Sequence, residues 1–318
     1  MREFCLIDQI RRQFPDGPGV LLGIGDDAAV LQLPPEQVLV VSTDTLVSGT
    51  HFLADADPYA LGHKCLAVNL SDLAAMGALP RWCLLNLTLP SVDMPFLTSF
   101  LEGLHALAKA FQVSLVGGDT TCGPFAVSIT VLGSAPVRRS VLKRSGAQVG
   151  DGIYLSGTVG DAAAALARRF AGAPKNAFLD ARLDQPSPRI ALGQALLGQA
   201  HSCIDVSDGL LADLAHICQQ SGVGAEVHSE RLPLSDELRA LFPARTARLY
   251  ALTGGDDYEL CFTAPEANHA QIQALSAQLN LPITRIGTIR PGQGVVLRNA
   301  QGKRIKPPQR TGYEHFSA

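Results

Sequence analysis

Val38-Leu39-Val40-Val41-Ser42-Thr43-Asp44, followed after a short linker by Asp57-Pro58 and a run to Met76-Gly77, is the stretch that decides the fold. The apolar segment Val38–Val41 reads as a buried strand running straight into Ser42-Thr43-Asp44. Asp57 is a good N-cap, Pro58 suits the first helical position, and Gly77 suits the residue that closes a helix, with Pro80 beyond it. A helix over Pro58–Met76 follows. Outward from there, the spacing predicts a helix over Pro95–Phe111 and strands at Val113–Val116 and Ala126–Leu132. Upstream, Phe4, Ile7, Ile10 and Phe14 have helical spacing and end at the turn-rich Pro15-Asp16-Gly17-Pro18-Gly19. Strands alternating with long helices make a mixed α/β architecture.

Texture changes over residues 136–150, where Pro136, Arg138, Arg139, Lys143, Arg144, Gly146 and Gly150-Asp151-Gly152 form a polar, basic connection ahead of a new strand at Ile153–Leu155. The segment Ala171–Arg189 carries Pro174, Pro186 and Pro188 and is expected to be irregular. At 318 residues, the chain is about twice the commonest domain size, which points to two domains. With 47% hydrophobic and 17% charged residues it has material for a sizeable core, and disorder is excluded. The 26 Lys+Arg against 29 Asp+Glu give a net charge of −3, which excludes a nucleic-acid coat or a polybasic membrane binder. No run of about 18 apolar residues is present, so no transmembrane helix is expected. Asp8 and Arg11-Arg12 interrupt any signal-peptide core, so a cytoplasmic protein is expected. The seven cysteines, Cys5, Cys65, Cys83, Cys122, Cys203, Cys218 and Cys261, are scattered without a C-x-x-C pair, which fits neither a disulfide framework nor a zinc site.

The aspartates carry the chemistry. Asp26 and Asp27 lie in Gly23-Ile24-Gly25-Asp26-Asp27-Ala28-Ala29-Val30; Asp44 follows Ser42-Thr43; Asp72 lies in Asn69-Leu70-Ser71-Asp72-Leu73-Ala74-Ala75-Met76; Asp119 follows Leu115-Val116-Gly117-Gly118. Asp205, Asp208 and Asp213 fall in Ile204-Asp205-Val206-Ser207-Asp208-Gly209-Leu210-Leu211-Ala212-Asp213, and Asp256-Asp257 follow Leu252-Thr253-Gly254-Gly255. Surface aspartates have polar neighbours; these sit among Gly, Ala, Leu, Ile and Val, where an ionised carboxylate costs several kcal/mol unless a cation or donors compensate it. None of these motifs contains Lys or Arg. On the helix to Met76, Cys65, Asn69, Asp72 and Met76 share one face. The recurring pattern of apolar run, small residues, then aspartate is read as strand-end carboxylates converging at one sheet edge. Carboxylate and hydroxyl oxygens without a His/Cys set select hard divalent cations, Mg²⁺ above all, and Mg²⁺ with substrate phosphates means nucleotide chemistry. Single motifs have plainer readings: Gly-Gly-Asp as a turn, Ser207-Asp208-Gly209 as an N-cap, Asp26-Asp27 as a solvated turn. There is no G-x-x-x-x-G-K-[ST] loop, no H-R-D…D-F-G set and no G-x-S-x-G elbow. Gly157-Thr158-Val159-Gly160-Asp161 offers backbone N–H groups of the kind that bind phosphate, a common arrangement between strand and helix.

Together, Gly23–Leu31, Ser42–His51, Lys64–Gly77, Gly117–Thr121, Ile204–Leu214, Gly254–Phe262 and Gly312-Tyr313-Glu314-His315-Phe316 resemble the thiamine-monophosphate kinase family within the PurM-like (aminoimidazole ribonucleotide synthetase) superfamily. The resemblance implies an α/β fold of two PurM-like domains, residues 1–137 and 138–318, and a homodimer whose N-terminal sheets meet. It implies ATP-dependent phosphorylation of thiamine monophosphate to thiamine diphosphate with several Mg²⁺ ions, in thiamine diphosphate biosynthesis. Asp27, Ser42, Thr43, Asp44, Asp72, Asp119 and Asp205 would hold Mg²⁺, with Asp208 on a further ion; Asp44, Asp119 and Asp205 would be the catalytic set. Gly118, Asp119, Ser207 and Arg144, or Lys143 if the segment after Gly133 shifts by one, would contact ATP. His51, Asp256 and Tyr313 would line the thiamine phosphate pocket, Asp256 standing where the family usually has glutamate.

The acceptor is then a phosphate monoester, already largely a dianion at neutral pH because its second pKa is near 6, so no general base is needed. The rival readings are a sister activity on the same scaffold or a non-catalytic nucleotide-binding regulator. Gly17–Gly25 has no cysteine, as selenophosphate synthetase would need, and the chain ends His315-Phe316-Ser317-Ala318 without the cysteine of the hydrogenase-maturation type. The purine enzyme, aminoimidazole ribonucleotide synthetase, would lack Ser42–His51 in this form.

Overall fold

The structure is a computed structural model that describes residue 7 and residues 10–138 and 141–316. Phe4, Cys5, Asp8 and Arg139 of the readings above lie outside the described residues. The chain divides into two compact units, Met1–Leu73 with Ala78–Arg139, and Ala74–Gly77 with Ser140–Ala318.

In the first unit the short hairpin β1 (Val20–Leu22) and β2 (Val30–Leu31) precedes a four-stranded sheet of order β3-β6-β4-β5. β3 (Gln37–Val47) pairs antiparallel with β6 (Ala126–Pro136) along its whole length. β4 (Leu79–Leu89) lies antiparallel to β6 and parallel to β5 (Ser114–Cys122), so β3 and β5 are the two edges. Helix α1 (Pro58–Ala75) starts as the sequence predicts: the Asp57 carboxylate accepts the Ala60 N–H at 2.9 Å. It ends in a Schellman motif, with Ala78 N–H on Leu73 O at 2.9 Å, Gly77 N–H on Ala74 O at 3.0 Å and Gly77 left-handed at φ 68°. Helix α2 (Met94–Ala110) packs closely on α1, because a Cβ at Gly62 would strike the Phe100 carbonyl and one at Gly103 the Tyr59 carbonyl. Alternation along β6 buries Val127, Ile129 and Val131 while leaving Ser128 and Thr130 on the more open face.

The second unit adds β9 (Gly224–His228), β11 (Ile283–Arg290), β12 (Gly294–Arg298) and β13 (Arg304–Ile305) to β7, β8 and β10 in a seven-stranded sheet of order β13-β12-β9-β11-β7-β10-β8, antiparallel except for the β9–β12 pair. β7 (Gly152–Ser156) and β10 (Leu260–Ala264) are buried at every position, as strands covered on both faces must be. β8 (Ser202–Asp205) forms one edge and leads into α6 (Leu210–Ser221). Between α3 (Asp161–Phe170) and α5 (Ile190–Ala195), the segment expected to be irregular contains helix α4 (Ala177–Asp184). Asn176 caps α4 by accepting the Leu179 N–H at 3.0 Å, and Arg169 of α3 ties it down through Asp180 and Asp184. The prolines flank this helix rather than enter it, which is why their density misleads a sequence reading.

Candidate active site

In the first unit one group of the expected ligands comes together. Ser42 Oγ donates to Asp72 Oδ2 at 2.5 Å, and the Asp44 N–H donates to Asn69 Oδ1 at 2.9 Å. Asn69, fully buried, is held by its own Nδ2 donating to the Cys65 carbonyl one turn back. The polar stripe read on α1 therefore faces Ser42 and Asp44, two residues that share a face of β3 because strand side chains alternate.

Other members of the set are placed differently. Asp44 does not end its strand: β3 continues through the β-favouring Thr45 to Val47, and β5 likewise runs through Asp119 to Cys122. Only Asp205 is a true strand end. Asp256 follows a helix, α8 (Ala244–Thr253), not a strand. Register then separates Asp44 from Asp119. Asp44 lies in one row with Ile129, Leu85 and Gly118, whereas Asp119 lies in the next row with Asn86, Ser128 and Thr45. Asp44 and Asp119 therefore lie on opposite edge strands with their side chains on opposite sheet faces, their Cα positions three strand spacings or roughly 14 Å apart. Convergence of Asp44 and Asp119 within the unit is thereby corrected. Thr43 also points away from Ser42 and Asp44; its hydroxyl donates to the Ile129 carbonyl at 3.1 Å and accepts from Thr130 at 3.0 Å. Gly118, at φ 146°, has to be glycine, since a Cβ would run into the Leu85 carbonyl. Asp27 is exposed in the β1–β2 hairpin, with its N–H on Asp26 Oδ1. His51 closes the turn after β3: its Nδ1 accepts the Val47 N–H at 3.0 Å, which leaves the ring proton on Nε2.

In the second unit the structure gathers Asp205, Ser207, Asp208, Asp256 and Tyr313. Asp205 is buried at the end of β8. Beyond it the chain pairs through its main chain with residues 256–259: Val206 N–H to Glu259 O at 2.8 Å, Tyr258 N–H to Val206 O at 2.9 Å and Asp256 N–H to Ser207 O at 2.8 Å. Gly255 permits this approach, because a Cβ there would meet the Ser207 carbonyl. Asp256 and Tyr258 both sit in the left-handed region, at φ 65° and 51°, and the Tyr258 hydroxyl donates to Asp256 Oδ1 at 3.0 Å. Non-glycine residues held there mark a backbone fixed by its surroundings. The Tyr313 N–H donates to Asp208 O at 2.9 Å. Burial raises the Asp208 carboxyl above the ordinary range, opposed by the charges of His216, His315 and Arg144. The Lys143 carbonyl accepts the Cys203 N–H at 2.8 Å.

Three residues take roles that the sequence reading did not assign, although it picked out Asp213 and Asp257 among the aspartates in apolar surroundings. Asp213, 2% exposed, turns its carboxylate onto the loop before α6; burial, reinforced by Asp205, pushes its pKa up to about 8. Glu259, fully buried, takes hydrogen bonds from Arg182, Arg189 and Ser156. Asp257, also buried, accepts the Gly160 N–H at 2.7 Å at the start of α3, and burial raises its pKa well above the carboxylate range. This network ties α3, α4 and residues 186–190 to the segment that carries Asp256, and occupies the end of the Gly157–Asp161 loop that resembled a phosphate cradle. An Arg-x-x-x-x-x-x-Arg spacing opposite one Glu is invisible in sequence because nothing local links them. Lys64 is a buried cation on α1.

Among the described residues no three His, Cys, Asp or Glu side chains form a ready-made metal cage. Mg²⁺ binds through one or two carboxylates and completes its shell with water and substrate phosphates. Ser42, Asp44 and Asp72 supply such a half-shell of hard oxygens.

Residues 25–135 match the model of the AIR synthase related protein N-terminal domain and residues 148–298 that of its C-terminal domain. The thiamine-monophosphate kinase of Escherichia coli (strain K12) is 45% identical over 99% of this chain and 98% of its own length. The chain belongs to the thiamine-monophosphate kinase family. The crystal structure of the Stenotrophomonas maltophilia K279a family member superposes with a TM-score of 0.88 at 48% identity, covering 93% of this chain and 96% of that one. The structure of AaThiL complexed with AMPPCP and TMP superposes at 0.78 with 33% identity over 99% of each chain. The fold is that of two AIR synthase related domains, and no described helix is long and apolar enough to cross a membrane.

Proposed function

We propose that the chain transfers the γ-phosphoryl group of ATP directly to the phosphate of thiamine monophosphate, giving thiamine diphosphate. The observation that carries this reading is end-to-end similarity to a family member complexed with AMPPCP and TMP, read as an ATP analogue and thiamine monophosphate, together with the Ser42–Asp44–Asp72 group in place. Mg²⁺ is assigned to Ser42, Asp44 and Asp72, with Asp27, Asp119, Asp205 and Asp208 as further ligands and Thr43 restricted to its main-chain carbonyl. When bound, the ions neutralise the repulsion between two polyanionic substrates. Gly118, Asp119, Ser207 and Arg144 bind ATP, and His51, Asp256 and Tyr313 bind the acceptor. No residue has to remove a proton, because the acceptor phosphate is already largely dianionic. His51 agrees with that, its Nδ1 being engaged by the main chain.

The same reading includes two domains, residues 1–137 and 138–318, and a homodimer. Val38, Leu39 and Val41 on edge strand β3 are 41%, 46% and 54% exposed, an apolar open edge of the kind that pairs with another chain. Light scattering of the purified protein should give twice the monomer mass. The activity is tested by incubating the protein with Mg²⁺, ATP and thiamine monophosphate: thiamine diphosphate and ADP should appear in equal amounts. ADP release with the thiamine compound unchanged overturns the assignment in favour of a sister activity, and binding without turnover overturns it in favour of a regulator.

A further inference from the structure

We infer that Asp213 is a positioning residue that sets the geometry of the nucleotide- and thiamine-binding segments of the second unit; the inference rests on the reading just given. Its Oδ2 accepts three consecutive main-chain N–H groups, Ser207 at 3.1 Å, Asp208 at 3.2 Å and Gly209 at 3.0 Å. These donors all precede α6, so the carboxylate is not capping the helix on which it rides. It holds the loop in front of that helix, where no side chain caps the start.

The carbonyls of the same loop face outward to the other two segments. Ser207 O receives the Asp256 N–H and Asp208 O receives the Tyr313 N–H. Peptide groups 206–207, 207–208 and 208–209 are thus fixed by Asp213 through their N–H groups, and the two residues between them anchor the segments carrying Asp256 and Tyr313 through their carbonyls. Gly209, at φ 133°, leaves the turn no slack, since a Cβ there would lie 3.0 Å from the Thr253 carbonyl. Three stretches distant in sequence therefore take their relative positions from one buried carboxylate. Without it, three buried or half-buried N–H groups lose their acceptor, and each lost partner permits the loop to turn.

The test uses the full chain with Asp213→Asn, which keeps one oxygen acceptor, and Asp213→Leu, which keeps the shape and removes both. Steady-state kinetics are measured with ATP and thiamine monophosphate varied separately, alongside thermal melting. KM for both substrates should rise about tenfold or more in Asp213→Leu, the scale of outer-shell losses, and less in Asp213→Asn, with kcat falling by a smaller factor. A drop in melting temperature or kcat with both KM values unchanged would show a purely structural role and overturn the inference. Should the leucine variant fail to fold, the asparagine variant decides by the same criterion. Wild-type product formation tests the reading separately: with a different phosphate acceptor found for the wild type, the KM comparison is repeated on that acceptor and still decides the role of Asp213.

Discussion

The two units hold their acidic residues in contrasting ways. In the first, Ser42, Asp44, Asn69 and Asp72 meet because a regular strand lies against a regular helix, and every contact uses a helix side chain, Asp72 taking the Ser42 hydroxyl and Asn69 the Asp44 N–H. In the second, Asp205 ends β8 while Asp208, Asp256 and Tyr313 occupy irregular chain, and main-chain hydrogen bonds do the joining. The contrast teaches that a ligand cluster built on helix and strand periodicity tolerates little change in the ligands themselves. One built on loops depends instead on buried residues that never touch substrate.

That contrast can be broken first at Asp44. Asp44→Asn should lower turnover on the order of 10³-fold or more, since a bound cation's charge stabilisation is worth several kcal/mol, with an unchanged melting curve; near-normal activity would remove Asp44 from the site. Asp119→Asn should behave alike although it stands on the other face of the sheet, and wild-type activity there would confine the metal set to the Asp44 side. Next comes the clasp of the second unit. Glu259→Gln leaves Arg182 and Arg189 without their shared buried carboxylate, and breaking a buried pair costs roughly 3–5 kcal/mol. Urea denaturation should show that loss, and an unshifted midpoint would mean the network is not what braces the loop. A smaller effect is expected at the cap of α1: Asp57→Ala should cost about 1 kcal/mol, or about 2–4 °C in melting temperature, and should leave both KM values untouched. The smallest concerns Glu226, whose carboxyl Arg298 holds below the usual range through a hydrogen bond at 2.8 Å. A lowered pKa stabilises the fold above the unfolded value of about 4.3 and the benefit is lost as pH falls through the lowered value. Glu226→Gln should therefore cost at most about 1 kcal/mol at pH 7, with the difference from wild type closing as pH drops below 4; a gap that stays constant with pH would refute the linkage.

Much of the first unit could be read from sequence. Asp57, Pro58 and Gly77 are local signals, and they mark α1 to within a residue of where it begins and ends. The face carrying Asn69 and Asp72 follows from helical periodicity alone. What escaped was register. Whether Asp119 shares a face with Asp44 depends on which residues of β6 and β4 lie between them, and that pairing is long-range. The apolar run Val38–Val41 likewise conceals that β3 extends through Ser42-Thr43-Asp44, because consecutive polar residues on a half-open strand look like the end of one. In the second unit the motifs named Asp205, Ser207, Asp208, Asp256 and Tyr313, yet the parts that hold them were not found. Glu259, Arg182 and Arg189 lie in unremarkable local sequence, and α4 was hidden by the prolines around it.

Main-chain joinery has an evolutionary consequence. Because amide and carbonyl groups link the loop at Ser207 to the segments of Asp256 and Tyr313, the hydrogen bonds that join the three do not run through the side chains at those positions. Such a frame can exchange an aspartate for a longer acid at position 256, or recruit a new acceptor molecule, by single replacements that leave the backbone where it was.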